Sequence, residues 1–344
     1  MTRVPGPTIA DVARAAEVST ATVSHALNGT GRVAEATRRR VRAVATALGY
    51  GGAPGTGPRT RPRTRTLGLA VTTFAGSPWD YVAVHYFSRW LTAATAAAHA
   101  RGYALTTLPA DRGAEALWHT LAVDGMLLLD SPAGDPVLRA LRARGIPVVF
   151  DGRPAAPRPE DTWVDNDHAA TTREVLDHLA ASGARRVALH GGYGGEHYTR
   201  AVTEAYEGWC AERGRPPLPV RFDPDDTGGH AFDALFSGSA GPSGGAAADA
   251  VYSLYEPGGR QALAAAARHG LRVPEDLLLV CASEDPWYGS APVPVSTVTL
   301  RPEPAARAAV AALLAVVEEP RAAVPGQRTV PAGLLVRASS RRPG

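Results

Sequence analysis

The chain has no lysine: all 36 basic residues are arginine, a bias that reads as genomic composition rather than function. Its two cysteines, Cys210 and Cys281, are too few for a zinc cluster and suit a reducing compartment. No apolar stretch reaches membrane-spanning length and MTRVPGPT carries no signal-peptide pattern, so a cytoplasmic protein is expected. HExxH and phosphate-loop patterns are both missing, which leaves the zinc-hydrolase and phosphate-loop nucleotide chemistries without a motif. The GGYGG run at 191–195 lacks both the phosphate-loop lysine and the dinucleotide spacing. The ten histidines are dispersed, and His190 and His230 read as ordinary interior or surface residues. Neither a catalytic site, a metal nor a cofactor is expected.

What is present is a lopsided charge. Residues 1–66 hold eleven arginines against Asp11, Glu17 and Glu35, a net of +8, whereas the remainder carries −5. A basic head on an acidic body is the electrostatic footprint of a nucleic-acid reader, with affinity that falls steeply with salt.

The head reads as three short helices. Ile9, Val12, Ala13 and Ala16 recur at helical spacing, with Thr8 as cap and Asp11 at the capping-box position. Ser19 can cap a second helix that turns Val23, Ala26 and Leu27 inward and leaves Thr20, Ala21, Thr22, Ser24 and His25 outward. Small polar side chains let a helix approach base edges closely. A third helix buries Val41, Val44, Ala45 and Leu48 and exposes Arg38, Arg39, Arg40 and Arg42.

The run from T-I-A-D-V-A at Thr8, through V-S-T-A-T-V-S-H-A-L-N at Val18, to R-V-A-E-A-T-R-R-R-V at Arg32 and L-G-Y at Leu48 resembles the DNA-binding domain of the LacI family of bacterial repressors. Position by position, the resemblance makes Thr20, Ala21 and His25 base readers and gives phosphates to Ser19, Thr22, Ser24, Asn28 and Thr37. His25 replaces the arginine common in the family and Ala21 offers only a methyl, so the operator should differ from the usual one. Glu17 stands where the family has a turn glycine, which predicts a turn backbone that a side chain tolerates.

Gly51 to Thr66 has four glycines, three prolines and four arginines, and cannot be a packed helix. The family's hinge helix is missing: counting places Ala53 at its asparagine and Arg59 at its minor-groove leucine. Either this is a plain tether, or Arg59, Arg61, Arg63 and Arg65 lie along a narrow minor groove.

From Leu67 onward, apolar runs (LGLAV, GMLLL, IPVVF, RRVALHG, DAVYSL, LLLVCA) alternate with alanine-rich helical segments. This rhythm predicts parallel strands covered on both faces. The expected fold is therefore an all-α helix-turn-helix head followed by a two-lobed α/β domain with parallel sheets. This body resembles the family's periplasmic-binding-protein-like sensor through Val123-Asp124-Gly125, Asp165-Asn166, Gly183–Val187, Gly270–Asp276 and Ser296-Thr297-Val298. The resemblance implies three passages between lobes, with 67–163 and 300–319 in one lobe and 164–299 and 320–344 in the other.

Such a cleft normally holds a small polar effector, frequently a sugar. By counting, its ligand arginine falls at Ala205, its asparagine-aspartate pair at Tyr255-Glu256 and its aspartate at Ser283, so the polar clamp is dismantled and a less sugar-like ligand is expected. Trp79, Tyr81, Tyr193, Tyr255 and Trp287 are candidate walls; Asp151, Glu256, Ser283 and Glu284 are candidate polar contacts. The sequence thus predicts a homodimeric regulator, most simply a repressor, on a palindromic operator. An effector-independent DNA binder, and a small-molecule binding protein with a vestigial head, remain as alternatives.

Overall fold

The computed structural model describes residues 8–28, 33–48, 63–72, 81–108, 115–192, 194–237, 248–319 and 326–342 of the chain. It divides into two units, Met1–Pro62 and Arg63–Gly344.

The first unit contains α1 (Ile9–Ala15), α2 (Thr20–Asn28) and α3 (Glu35–Ala47). The capping box forms: the Thr8 hydroxyl accepts from the Asp11 N–H at 3.3 Å, and the Asp11 carboxylate accepts from the Thr8 N–H at 2.8 Å. Helix α1 ends in a Schellman arrangement, the Val18 N–H donating to the Ala13 carbonyl and the Glu17 N–H to that of Arg14. This ending demands a left-handed residue, and Glu17 supplies it at φ 53°. The turn therefore keeps the glycine-type backbone despite the side chain, contrary to the expectation, at a cost of roughly 1–2 kcal/mol. Buried Ala16 before it and Val18 packed against the core after it hold the turn in place despite the local strain.

Val12, Val23 and Val41 are fully buried at the meeting point of the three helices, filled in by Ala13, Ala16, Ala26 and Ala45. Each such valine contributes roughly 1.5–3 kcal/mol over an exposed one. Leu48 departs from the expectation and is 39% exposed, because α3 has ended at Ala47 and the inward spacing no longer applies.

The second unit begins with β1 (Thr66–Val71), α4 (His85–His99), β2 (Ala104–Thr107), α5 (Glu115–Thr120), β3 (Gly125–Leu129), α6 (Pro136–Ala143), β4 (Val148–Asp151) and β5 (Thr162–Asp165). It continues with α7 (His168–Ala181), β6 (Val187–Gly191), α8 (His197–Glu212), β7 (Pro219–Arg221), α9 (Asp233–Phe236), β8 (Ala250–Ser253), α10 (Glu256–Arg268), β9 (Leu278–Ala282), α11 (Trp287–Ser290) and β10 (Ser296–Thr299). It closes with α12 (Pro302–Glu318), β11 (Gln327–Thr329) and β12 (Gly333–Leu335).

Two six-stranded sheets result. The first has the order β11-β5-β4-β3-β1-β2 and is wholly parallel; the second has β12-β10-β9-β8-β6-β7, parallel except for β12 against β10. Strands such as GMLLL and LLVCA are buried along their whole length, as sheets covered on both faces require. Helix α12 lies so close on the first sheet that a side chain at Gly125 would meet Leu313 Cδ1 at 2.8 Å, which is why glycine opens β3.

The chain passes between the lobes three times, after β5, after β10 and after β11. The last passage differs from the expected one. Residues 327–329 return to the first sheet as β11, hydrogen-bonded to β5, so the tail is shared between lobes rather than given wholly to the second. Asn166 ties all three passages: its amide donates to the Leu300 carbonyl at 3.2 Å and to the Val330 carbonyl at 2.8 Å.

Candidate functional site

In the head, α2 turns Val23 and Ala26 inward and leaves Thr20, Ala21 and His25 exposed. Ser19 begins the helix, its hydroxyl accepting from the Thr22 N–H at 3.1 Å and lying 2.9 Å from the Thr22 hydroxyl. Ser24 and Thr37 are half-buried, and the side chain of Asn28 lies outside the described residues. One short helix thus presents the three expected base readers, with the hydroxyls of Ser19 and Thr22 grouped at its start.

Arg59 and Arg61 fall outside the described residues. Arg63 and Arg65 are engaged by the body instead of standing free. The Arg63 guanidinium donates to the Glu318 carbonyl at 3.1 Å, at the negative end of α12, and that of Arg65 lies 5.1 Å from the centre of the Tyr103 ring. The Asp124 carboxylate accepts from the Thr64 and Arg65 N–H groups, so the ordered body starts at Arg63, a few residues before the expected boundary.

Between the lobes lies a cavity of about 220 Å³. Its first-lobe wall comes from Val84, Tyr86 and Phe87 at the start of α4 and from Asp130, Asp151 and Asp165 at the carboxyl ends of β3, β4 and β5. Ligands in open α/β sheets bind at such strand ends. Its second-lobe wall brings Glu196 and Tyr198 from the start of α8, Phe222 after β7, Tyr255 and Glu256 after β8, and Ser283 and Glu284 after β9.

The carboxylates have unequal surroundings. The Tyr86 hydroxyl donates to Asp151 at 2.7 Å, but burial dominates and pushes the Asp151 carboxyl up to about 7. Asp130 is driven well above the usual carboxylate range by burial first, then by Glu196, Asp151 and Asp165. Burial acts most strongly on Asp165 too, yet the imidazole of His168 at 2.7 Å and the N–H groups of Arg153 and Asn166 together outweigh it, and the pKa ends below its ordinary value. Glu284 is raised by burial despite accepting from Thr299 at 2.7 Å and pairing with Arg89 at 2.7 Å. The Arg89 pair and the 2.8 Å contact of His85 Nδ1 with Glu256 bridge the two lobes. His85, Glu256 and Asp285 could offer three atoms to a cation, but Asp285 already holds the Arg260 guanidinium.

Of the expected effector contacts, Asp151, Tyr255, Glu256, Ser283 and Glu284 come together in the cavity wall. Trp287 does not: it stacks under Arg260, 4.1 Å from its ring centre. Tyr81 is outside the wall as well, set edge-on to Phe87. Ala205 takes no part either. Trp79 and Tyr193 lie outside the described residues. The sequence reading missed Tyr86, Asp130, Asp165, His168, Glu196 and Tyr198. Two of these carried a signal, because GMLLL and TWV run directly into Asp130 and Asp165, as VVF runs into the expected Asp151. His190, packed between Phe222 and Phe232, is a buried histidine pushed down to about 4 by burial, and His230 is exposed beside Asp233.

A three-helix head with an exposed second helix, followed by two largely parallel sheets around a cleft, is the architecture of a DNA-binding transcriptional regulator, and the comparisons with known proteins agree. Residues 8–51 match the bacterial regulatory proteins of the lacI family, and residues 176–340 match the periplasmic binding protein-like domain. The chain therefore carries a lacI-family DNA-binding domain and a periplasmic binding protein-like domain. It is 28% identical to the HTH-type transcriptional regulator CelR of Thermobifida fusca over 290 residues, covering 81% of this chain and 83% of that one. It is 29% identical to the HTH-type transcriptional repressor PurR of Salmonella paratyphi B over 293 residues, 79% of each. A solved CelR–cellobiose complex superposes with a TM-score of 0.70 at 26% identity, over 97% of this chain and 99% of that one. The lac repressor dimer bound to operator and the anti-inducer ONPF shares the fold, with a TM-score of 0.67 at 20% identity over 98% of this chain and 100% of that one. Among the described residues no helix is long and apolar enough to cross a membrane.

Proposed function

We propose that the chain is a cytoplasmic repressor that binds a palindromic duplex as a homodimer, with α2 in the major groove of each half-site and a small molecule in the interlobe cleft as its effector. The observation that carries this reading is the exposed row Thr20, Ala21 and His25 on a helix whose other face is locked by fully buried Val23 and Ala26. Such a helix can be presented to base edges without being pulled from its own core. In this reading Thr20, Ala21 and His25 read bases while Ser19, Thr22, Ser24, Asn28 and Thr37 hold phosphates. A single head makes too few contacts for operator-level affinity, whereas two related by a twofold axis read an inverted repeat. A similar regulator, CelR, is solved as a complex with cellobiose, which supports a small-molecule effector.

Selection of bound sites from random duplexes with the full chain tests the reading. An inverted repeat should emerge, and His25→Ala should relax one symmetric pair of positions by about 1–3 kcal/mol of discrimination. Enrichment of no sequence at moderate salt would overturn it.

A further inference from the structure

Among the described residues, the wall of the interlobe cavity contains six carboxylates, Asp130, Asp151, Asp165, Glu196, Glu256 and Glu284, and no arginine, with His168 as its one basic side chain. Three of the six are answered by a basic group of the protein: Asp165 by His168 at 2.7 Å, Glu256 by His85 at 2.8 Å and Glu284 by Arg89 at 2.7 Å. The other three form no ion pair among the described residues, although His168 also acts on Asp151 from a distance. Asp151, only 4% exposed, receives the Tyr86 hydroxyl but forms no ion pair among the described residues. Glu196, also 4% exposed, receives the hydroxyls of Thr199 and Tyr255. The Asp130 carboxylate accepts no hydrogen bond from any described residue, and Glu196, Asp151 and Asp165 all act on it electrostatically.

Burying carboxylates without a counter-charge is costly, and here the three surround an open volume rather than a packed one. The rest of the wall is apolar and aromatic, from Tyr86, Phe87, Tyr198, Phe222 and Tyr255. Ring faces carry the negative side of their quadrupole and attract cations as well as carbon skeletons. A volume of about 220 Å³ falls below the roughly 300–1,000 Å³ of drug-sized pockets and suits an occupant the size of a single ring or a short chain.

We propose that the effector is a small organic amine, its ammonium group set among Asp130, Asp151 and Glu196 and its carbon skeleton against Tyr86, Tyr198 and Phe222. This rests on the reading of the cleft as an effector site and adds the chemical class. An ammonium group would let the buried Asp130 and Asp151 ionise, whereas a neutral polyol would supply no counter-charge and an anion would oppose their ionisation.

The test uses the full chain in thermal-shift and calorimetric titrations with matched pairs: glucosamine and glucose, 1,4-diaminobutane and 1,4-butanediol, tyramine and its alcohol counterpart. At least one amine should stabilise the protein in a concentration-dependent way, with its neutral twin at least tenfold weaker, by mass action on the folded state. Asp130→Asn and Asp151→Asn should each weaken that amine tenfold or more. A neutral twin that binds as well as its amine, or asparagine variants that bind the amine unchanged, would overturn the proposal. A small-molecule cell extract split on a cation exchanger decides the case if none of the three amines acts. Stabilisation by the retained fraction supports the proposal. Stabilisation only by the flow-through overturns the amine while keeping the effector reading. If no fraction stabilises, both are overturned.

Discussion

Asp151→Asn should make the ligand-free protein more stable, and increasingly so as pH rises. The carboxyl ionises near its ordinary 3.8 in the unfolded chain and at about 7 in the fold, where burial resists the charge. Between those values the folded protein holds a proton that the unfolded chain has released, so stability falls with pH through this window and levels off above it. The asparagine variant lacks that fall, and its amide oxygen can still accept the Tyr86 hydroxyl. From pH 5.5 to pH 8 the protein crosses about one and a half units of the window, about 2 kcal/mol at roughly 1.4 kcal/mol per unit. At about 2–4 °C per kcal/mol for a unit of this size, the variant's advantage in Tm should grow by about 4–8 °C. Thermal unfolding followed by circular dichroism at both pH values measures it. An advantage that stays constant or shrinks as pH rises would refute the argument, because the buried charge would then be compensated by the fold itself.

Three further outcomes follow from the geometry. Glu17→Gly should relieve the left-handed backbone and, after the entropy that glycine adds to the unfolded chain, leave the head unchanged or firmer by up to about 1 kcal/mol, whereas Glu17→Val should weaken it; amide exchange at Ala16 and Val18 in the full chain reads both. Asn166→Ala removes the donor to the Leu300 and Val330 carbonyls and should cost about 1–3 kcal/mol in urea unfolding, well above the loss at a surface asparagine. Substituting Arg39 and Arg40, exposed on α3, with glutamine should weaken duplex binding evenly across sequences and reduce its salt dependence.

The head was legible because its information is local. Thr8 and Asp11 are three residues apart, and the buried valines repeat at helical spacing, so capping and core could both be read within a single window. The parallel sheets were legible for a related reason: GMLLL and LLVCA are apolar throughout because both their faces are covered. The cleft was harder because its residues are gathered from eight or more segments between Val84 and Ala305. Counting from family motifs placed Tyr255, Glu256 and Ser283 in the wall but not Ala205, and the aromatic character that suggested Trp287 does not distinguish a cleft wall from packing elsewhere. The better cue was physical: an aspartate that immediately follows a buried strand stands at the end of the sheet where ligands bind. Tail strand β11 eluded the reading because Gln327–Thr329 is exposed throughout and carries no apolar pattern.

The clasp made by Asn166 has a mechanical consequence. With three crossing strands pinned at one amide, the lobes can swing about that point but cannot slide past each other without breaking two hydrogen bonds at once. Asn166 also forms part of the cavity wall, so the pivot and the pocket share a residue. A molecule lodged there acts close to the axis, and a displacement of a fraction of an ångström at its surface becomes a larger arc at the far rim of each lobe.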